Sequence, residues 1–318
     1  MKNYMSIHDL PSIKDTVKEA IALKKNPLQF QALGKNKTIG LLFFNNSLRT
    51  RLSTQKAALN LGMEPIVMNF GAEGWQLEFE DGTIMDQGKS EHIKEAAQVI
   101  SQYCDVIAIR AFAGLEDKEK DEAEEVLESF KKYATVPILN MESSVGHPLQ
   151  ALADAITIEE YKPQKKKLKI VLSWAPHPKA LPHAVGNSFA EMALAYKDEF
   201  EVVITHPKGY ELNPDKTKGA TIEYDQQKAF KGADFIYTKN WSSYKDYGKV
   251  ACTDASWMIS ADKMALTDNA KFMHCLPVRR NVVVADEVID SENSIVIKQA
   301  NNRTYAAQIV LKKILENL

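Results

Sequence analysis

At 318 residues, with 45% hydrophobic residues, the chain is longer than one typical domain and can bury a sizeable core, so two domains are expected. Its formal net charge of -2 excludes a basic field able to hold nucleic acid or an anionic membrane, and any anionic ligand must be bound by a local site. The odd, widely spaced Cys104, Cys252 and Cys275 argue against a disulfide framework or a zinc site. Met1 to Val17 lacks a signal peptide's apolar run, and no stretch approaches the roughly 20 apolar residues of a membrane span, so a soluble protein of the reducing cytoplasm is expected.

In chain order, short apolar runs alternate with helical patterns, as in parallel strands joined by crossover helices. Thr38 to Phe44 reads as a buried strand, followed by a turn at Asn45 to Ser47 and a helix beginning near Thr50. Pro65 to Phe70, Val106 to Arg110 and Val136 to Asn140 read as further strands, with a helix over Glu91 to Tyr103. Glu116 to Lys132 is dense in charge and reads as one solvated helix without chemistry. A helix from about Pro148 to Tyr161 connects to a second half that repeats the pattern. Strands are expected there at Leu168 to Trp174, Glu201 to Thr205, Phe235 to Thr238 and Phe272 to Cys275. Helices are expected near Asn187 to Tyr196 and Gln226 to Lys231, with a last one over Thr304 to Leu315. The expected fold is α/β: two doubly wound parallel-sheet domains, residues 1–147 and 148–300, joined by interdomain helices, with residues 301–318 packing back on the first.

Three segments could carry chemistry. Ser47 to Arg51 places hydroxyls, guanidiniums and backbone amides where a strand gives way to a helix, a construction suited to anions, although a helix cap followed by surface arginines reads equally well. His147-Pro148-Leu149-Gln150 follows a predicted strand and a turn; Pro148 suits the first helical turn and leaves His147 and Gln150 at the helix mouth, either to bind a carbonyl or amide or simply as caps. His274-Cys275-Leu276-Pro277, with Arg279 and Arg280, ends a predicted strand at the edge where open parallel sheets bind ligands.

Taken together, these segments resemble the aspartate and ornithine transcarbamylases. Ser47 to Arg51 resembles their Ser-x-Arg-Thr-Arg phosphate motif, and His147 to Asp154 their His-Pro-x-Gln-x-Leu-x-Asp segment. Phe272 to Pro277 resembles the Phe-Met-His-Cys-Leu-Pro motif of the ornithine branch, and Asn302-Arg303 its C-terminal Asn-Arg. The resemblance implies that Ser47, Leu48, Arg49 and Thr50 hold the phosphate of carbamoyl phosphate and that Arg110 reaches the same ligand. It places His147 and Gln150 at the carbamoyl group, has His274, Cys275, Leu276 and Arg303 complete the pocket, and makes Arg49, Arg110, His147 and Cys275 the catalytic set. It further implies that the loop around Trp75 enters a neighbouring subunit's site in a homotrimer with shared active sites, and that no metal or organic cofactor is needed.

The acceptor amine is marked by departures from the ornithine branch, whose Tyr-Thr-Asp-x-Trp carries an Asp for the substrate's α-ammonium. Here the matching residue is Lys239. Like charges at contact repel by about 4 kcal/mol at an effective dielectric of 20, so the α-amine is expected to be uncharged. This resembles the acylornithine branch, as does Leu276 to Asn281, and it implies that Lys239 pairs with a carboxylate while His177, Arg279, Cys275 and Glu142 are further second-substrate contacts. In the Gly88 to His92 loop, acetyl-type enzymes resemble this chain but carry Glu where Ser90 stands, and succinyl-type enzymes carry Pro. A small neutral Ser90 leaves room for a second carboxylate, so N-succinylornithine is the expected acceptor and N-acetylornithine the alternative. A nucleotide-linked dehydrogenase lacks support because no Gly-x-Gly-x-x-Gly turn follows a strand. A non-catalytic scaffold would have no need of Arg49, Arg110, His147, Gln150 and Arg303 together.

Overall fold

In the computed structural model, which describes Met1 to Leu318, the chain divides into two units. One comprises Met1–Gly114, Glu119–Leu149 and Arg303–Leu318; the other comprises Leu115–Lys118 and Gln150–Asn302. In the first, α1 (Ile13–Lys25), β1 (Thr38–Phe43), α2 (Arg49–Asn60) and β2 (Glu64–Asn69) precede the two-residue strands β3 (Leu77–Glu78) and β4 (Glu91–His92). Then come α3 (Ile93–Tyr103), β5 (Val106–Arg110), α4 (Lys118–Ala123), α5 (Glu125–Tyr133) and β6 (Ile138–Glu142).

Strand β1 is buried along all but its first residue, as a strand covered on both faces must be, and it is central in an all-parallel sheet ordered β2-β1-β5-β6. Gly40 lies within it because a Cβ there would stand 2.8 Å from Cys104 Sγ. The chain steps from β1 to β2 on one side and later to β5 on the other. The carboxyl ends of β1 and β5 therefore flank a topological switch point, where Phe43 pairs with Arg110. Helix α3 covers the sheet with Ile93, Ala96 and Ala97, packed in one cluster with Ile107, Ile109, Leu127, Phe130 and Ile138. Burial of Ile93 and Phe130 stabilises the unit by about 2 kcal/mol each.

The charged segment after β5 departs from the single solvated helix expected of it. It breaks at Glu124, whose φ of 49° is left-handed, and α5 buries Leu127 and Phe130. The break has a partner: Glu124 Oε1 accepts from the Val145 amide at 3.4 Å. Charge on one face masked the apolar pair on the other.

The second unit runs through α6 (Pro148–Tyr161), β7 (Leu168–Trp174), α7 (Ala184–Ala195), β8 (Phe200–Thr205), α8 (Pro214–Thr217), β9 (Thr221–Glu223) and α9 (Gln226–Phe230). It continues with β10 (Phe235–Lys239), α10 (Ala261–Met264), β11 (Lys271–Met273), α11 (Asp286–Ile289) and α12 (Val296–Leu315). Its parallel sheet is ordered β11-β10-β7-β8-β9, which sets the switch point between β7 and β10, with Trp174 opposite Lys239. That edge is braced by aromatics whose polar tips are satisfied. Trp174 Nε1 donates to the Trp241 carbonyl at 2.9 Å, and Trp241 Nε1 to the Tyr210 carbonyl at 2.7 Å.

Helix α12 starts at Val296, eight residues before the expected start at Thr304, because its early turns carry polar residues that hide the apolar stripe. Those residues bind: Asn302 Nδ2 donates to Thr157 Oγ1 at 2.9 Å and to Glu160 Oε2 at 2.8 Å. Its later part belongs to the first unit, where Asn60 Nδ2 donates to Gln308 Oε1 at 2.9 Å in the interior. No helix is long and apolar enough to cross a membrane.

Candidate active site

At the first unit's switch point, β1 runs into Asn45, Asn46 and Ser47, and β5 ends on Arg110. Ser47 Oγ accepts from the Thr50 amide at 3.3 Å, so the serine does cap the start of α2. Capping and anion binding are compatible, since the cap fixes the turn that aims the remaining amides. Arg110 is held from three sides: Nε donates to Glu142 Oε2 at 2.9 Å, and Nη1 to the carbonyls of Asn45 and Asn46 at 3.0 and 3.1 Å. A bulge between Ile109 and Arg110 brings Glu142 opposite Arg110.

Arg303, returning on α12, donates through Nη2 to Thr50 Oγ1 at 2.5 Å and lies 3.2 Å from His147 Nε2. A guanidinium can only donate, so at this contact Nε2 serves as the acceptor when the imidazole is neutral and carries its proton on Nδ1. His147 Nε2 is also 3.6 Å from Glu142 Oε2, a contact that favours the imidazolium, and in either of these forms Nδ1 keeps a proton to donate. Thr50, Arg110, Glu142, His147 and Arg303 are each less than a tenth exposed. Burial alone would raise the Glu142 pKa, but His147, Arg110 and Arg303 outweigh it and hold the carboxyl below its ordinary value. The result is a buried, predominantly cationic niche with fixed donors, built to receive a compact anion.

Glu142, expected among the second-substrate contacts, pairs with Arg110 at 2.9 Å and lies 3.6 Å from His147. Trp75 is 58% exposed and donates through Nε1 to Glu91 at 2.8 Å, outside the Arg110 network. The nearby loop is exposed at Ser90, whose amide donates to the Gln76 carbonyl at 3.1 Å, while Lys89 pairs with the buried Glu78 at 2.9 Å. The Glu80 amide, with Lys89, lowers the Glu78 pKa to about 2.

In the second unit, the switch point carries Lys239 at the end of β10 and His177 just beyond β7. Arg279 Nε donates to His177 Nε2 at 3.1 Å, which requires a neutral imidazole protonated on Nδ1; of the two Lys179 backbone groups near Nδ1, the carbonyl at 2.8 Å therefore takes its proton and the amide at 3.1 Å does not donate to it. Burial first, and then Arg279, Lys239 and Lys179, hold the His177 pKa below the ordinary histidine value. Several cations thus act together on one imidazole at this sheet edge. Arg280, next to Arg279, is bound to Asp286 and Asp290 and is committed elsewhere.

Beyond β11, His274 and Cys275 are buried and Leu276 adopts a left-handed φ of 56°, with its amide donating to His274 Nδ1 at 2.9 Å. The His274 amide donates to Gln299 Oε1 at 2.9 Å. Gln150, on the first turn of α6, donates to Asp154 at 2.7 Å. Sequence reasoning assigned no role to Asp154, although it closes the His-Pro-x-Gln-x-Leu-x-Asp segment. It missed Gln299 altogether, since a polar residue early in α12 carries no local signal.

The sequence matches the family model of the aspartate/ornithine carbamoyltransferase carbamoyl-P binding domain over residues 2–160, and that of the Asp/Orn binding domain over residues 183–314. The N-succinylornithine carbamoyltransferase of Bacteroides fragilis is 51% identical, with 100% of both chains covered. The N-acetylornithine carbamoyltransferase of Xanthomonas campestris pv. campestris is 36% identical, over 93% of this chain and 92% of that one. Among solved structures, a Glu-to-Ser mutant of N-acetyl-L-ornithine transcarbamylase, complexed with carbamyl phosphate and N-succinyl-L-norvaline, superposes with a TM-score of 0.91 at 35% identity, covering 99% of this chain and 100% of that one.

Proposed function

Because the chain belongs to the aspartate/ornithine carbamoyltransferase family, we propose that it transfers the carbamoyl group of carbamoyl phosphate to the side-chain amine of N-succinyl-L-ornithine, yielding N-succinyl-L-citrulline and phosphate in arginine biosynthesis. The observation that carries the choice of acceptor is the convergence of Lys239, Arg279 and Lys179 around a neutral His177. Such an edge disfavours a free α-ammonium and favours an acceptor that brings carboxylates, which N-succinylornithine does twice. The exposed Ser90 adds no opposing charge. The 51% identity to an N-succinylornithine enzyme supports the same reading, as does the binding of N-succinyl-L-norvaline by a Glu-to-Ser mutant of an acetyl-type relative.

The chemistry asks for orientation and charge stabilisation rather than a protein nucleophile. Ser47, Leu48, Arg49 and Thr50 receive the phosphate, with Arg110 and Arg303 neutralising the charge that grows as it leaves. His147 offers its Nδ1 proton to the carbamoyl oxygen, and Gln150 binds the carbamoyl amide. Cys275 and the His274 to Leu276 backbone help place the attacking nitrogen. The amine attacks the carbamoyl carbon, the bond from that carbon to the bridging phosphate oxygen breaks, and phosphate takes the proton that the amine releases. In this scheme Glu142 acts chiefly by holding Arg110, with a secondary role towards the acceptor.

We further propose a cytoplasmic homotrimer with active sites completed by the Trp75 loop of a neighbouring copy. Exposed Leu48, Leu52, Leu59, Trp75, Ile84 and Met85 support an apolar contact surface, and the three free cysteines a reducing compartment. The test is phosphate release from carbamoyl phosphate with three acceptors. N-succinylornithine is expected to turn over fastest, N-acetylornithine more slowly, and free ornithine at background. Comparable turnover of free ornithine would overturn the reading.

A further inference from the structure

Asp154 is a fully buried carboxylate on α6. Its Oδ1 accepts from two amides at once: Gln150 Nε2 at 2.7 Å, four residues earlier, and Gln299 Nε2 at 2.7 Å from α12. The polarity of this arrangement follows from donor chemistry. An ionised carboxylate has only lone pairs to offer, so each glutamine must turn its NH2 towards Asp154 and its oxygen away. Two amide donors on one oxygen favour the ionised form.

The two oxygens turned away have different fates. Gln299 Oε1 accepts from the His274 amide at 2.9 Å, which ties Asp154 to the strand end after β11. Gln150 Oε1 is buried and meets no protein donor. A buried acceptor left unsatisfied is costly and calls for an explanation, and here a ligand donor supplies one.

We propose that Asp154 is a positioning residue for donor specificity: by holding the Gln150 NH2, it presents Gln150 Oε1 as an acceptor for the substrate's carbamoyl NH2. It thereby separates carbamoyl phosphate from acyl phosphates that carry a methyl group in its place. This rests on carbamoyl phosphate being the donor. A flipped Gln150 would set NH2 against NH2, while a methyl group in that position would leave the buried oxygen unsatisfied, the situation in which hydrogen-bonding sites discriminate most strongly.

The test compares the full-length wild type with Asp154→Asn, Gln150→Glu and the double variant Gln150→Glu/Asp154→Asn, reading KM for carbamoyl phosphate and the inhibition constant of acetyl phosphate. Asp154→Asn is expected to raise the carbamoyl phosphate KM roughly 10-fold while moving acetyl phosphate inhibition less than about 3-fold, because the charge-assisted hold on Gln150 is lost. The double variant reverses the direction of the hydrogen bond. The amide introduced at position 154 turns its NH2 to the carboxylate introduced at position 150 and keeps its oxygen for the Gln299 NH2, and the other oxygen at position 150 can only accept, so discrimination is expected to return to within about 3-fold of wild type. The double variant keeps one buried carboxylate in the pair, so it still decides the matter if Asp154→Asn alone does not fold. Equal changes in both constants for Asp154→Asn, or no recovery in the double variant, would reduce Asp154 to a brace between helices and overturn the proposal. Absence of wild-type turnover with carbamoyl phosphate would instead sink the donor assignment itself.

Discussion

Arg303 reaches Thr50 across 253 residues of sequence, its Nη2 donating to the threonine hydroxyl at 2.5 Å. The same nitrogen is 3.2 Å from His147 Nε2, so one guanidinium positions the phosphate turn and the imidazole together. Lysine offers a point charge without a planar fork and cannot hold both groups in this geometry. Arg303→Lys is therefore expected to lower kcat/KM for carbamoyl phosphate by roughly 100-fold, about 2.7 kcal/mol of transition-state stabilisation. Steady-state kinetics that show less than a 5-fold loss would rule out this dual role.

Glu142 is the carboxylate that compensates Arg110 in the buried niche. Its pKa is held below the ordinary 4.5, so the stability it contributes is fully present above that value and is lost as pH falls through the lowered pKa. Glu142→Gln should cost about 3 kcal/mol at neutral pH and flatten this acid limb. Inorganic phosphate should recover part of that loss by supplying the missing negative charge, giving a larger rise in Tm for the variant than for wild type. Equal phosphate shifts in both proteins would count against the charge argument.

His177 and the fully buried His206 both have pKa values held below the ordinary histidine value of 6.5, chiefly by burial. The unfolded chain therefore binds protons that the native state refuses. Stability should fall as pH drops below about 6.5 and level off below the two lowered values. His177→Gln should shrink this dependence in urea unfolding followed from pH 8 to pH 5, and an unchanged slope would refute the assignment.

Lys239 and Ser90 divide the specificity between them. Lys239→Met is expected to raise KM for N-succinylornithine at least 10-fold with little change in that for carbamoyl phosphate, because one carboxylate loses its cation. Ser90→Glu should shift preference towards N-acetylornithine by about 10-fold, on the order of 1.4 kcal/mol of added repulsion. Competition assays with both acceptors give the ratio directly, and an unmoved ratio for Ser90→Glu would remove that loop from the account.

The shared-site trimer can be tested by complementation. Trp75→Ala and Arg110→Met should each be nearly inactive alone. If Trp75 serves a neighbour's Arg110, mixed trimers regain activity, since some sites then draw both residues from unaltered sequence. Mixtures that stay as inactive as their parents would place Trp75 in its own subunit's site.

Local pattern was enough to read β5, α6 and β7, whose predicted bounds of Val106 to Arg110, Pro148 to Tyr161 and Leu168 to Trp174 match the structure to the residue. Apolar period and turn chemistry are properties of neighbours in sequence, and so are the motifs at Ser47 to Arg51, His147 to Gln150 and His274 to Pro277. What no local window contains is the identity of a partner far along the chain. The Arg303 to Thr50 bond, the Gln299 to Asp154 bond and the placement of Glu142 on Arg110 arise only when the sheets close and the helices pack. Glu124 makes the same point, because its carboxylate at the helix break meets the Val145 amide 21 residues away. Sequence alone determined which residue types stand at the strand ends; tertiary structure decided their charge states, tautomers and donor directions, because those depend on which groups burial forces into contact.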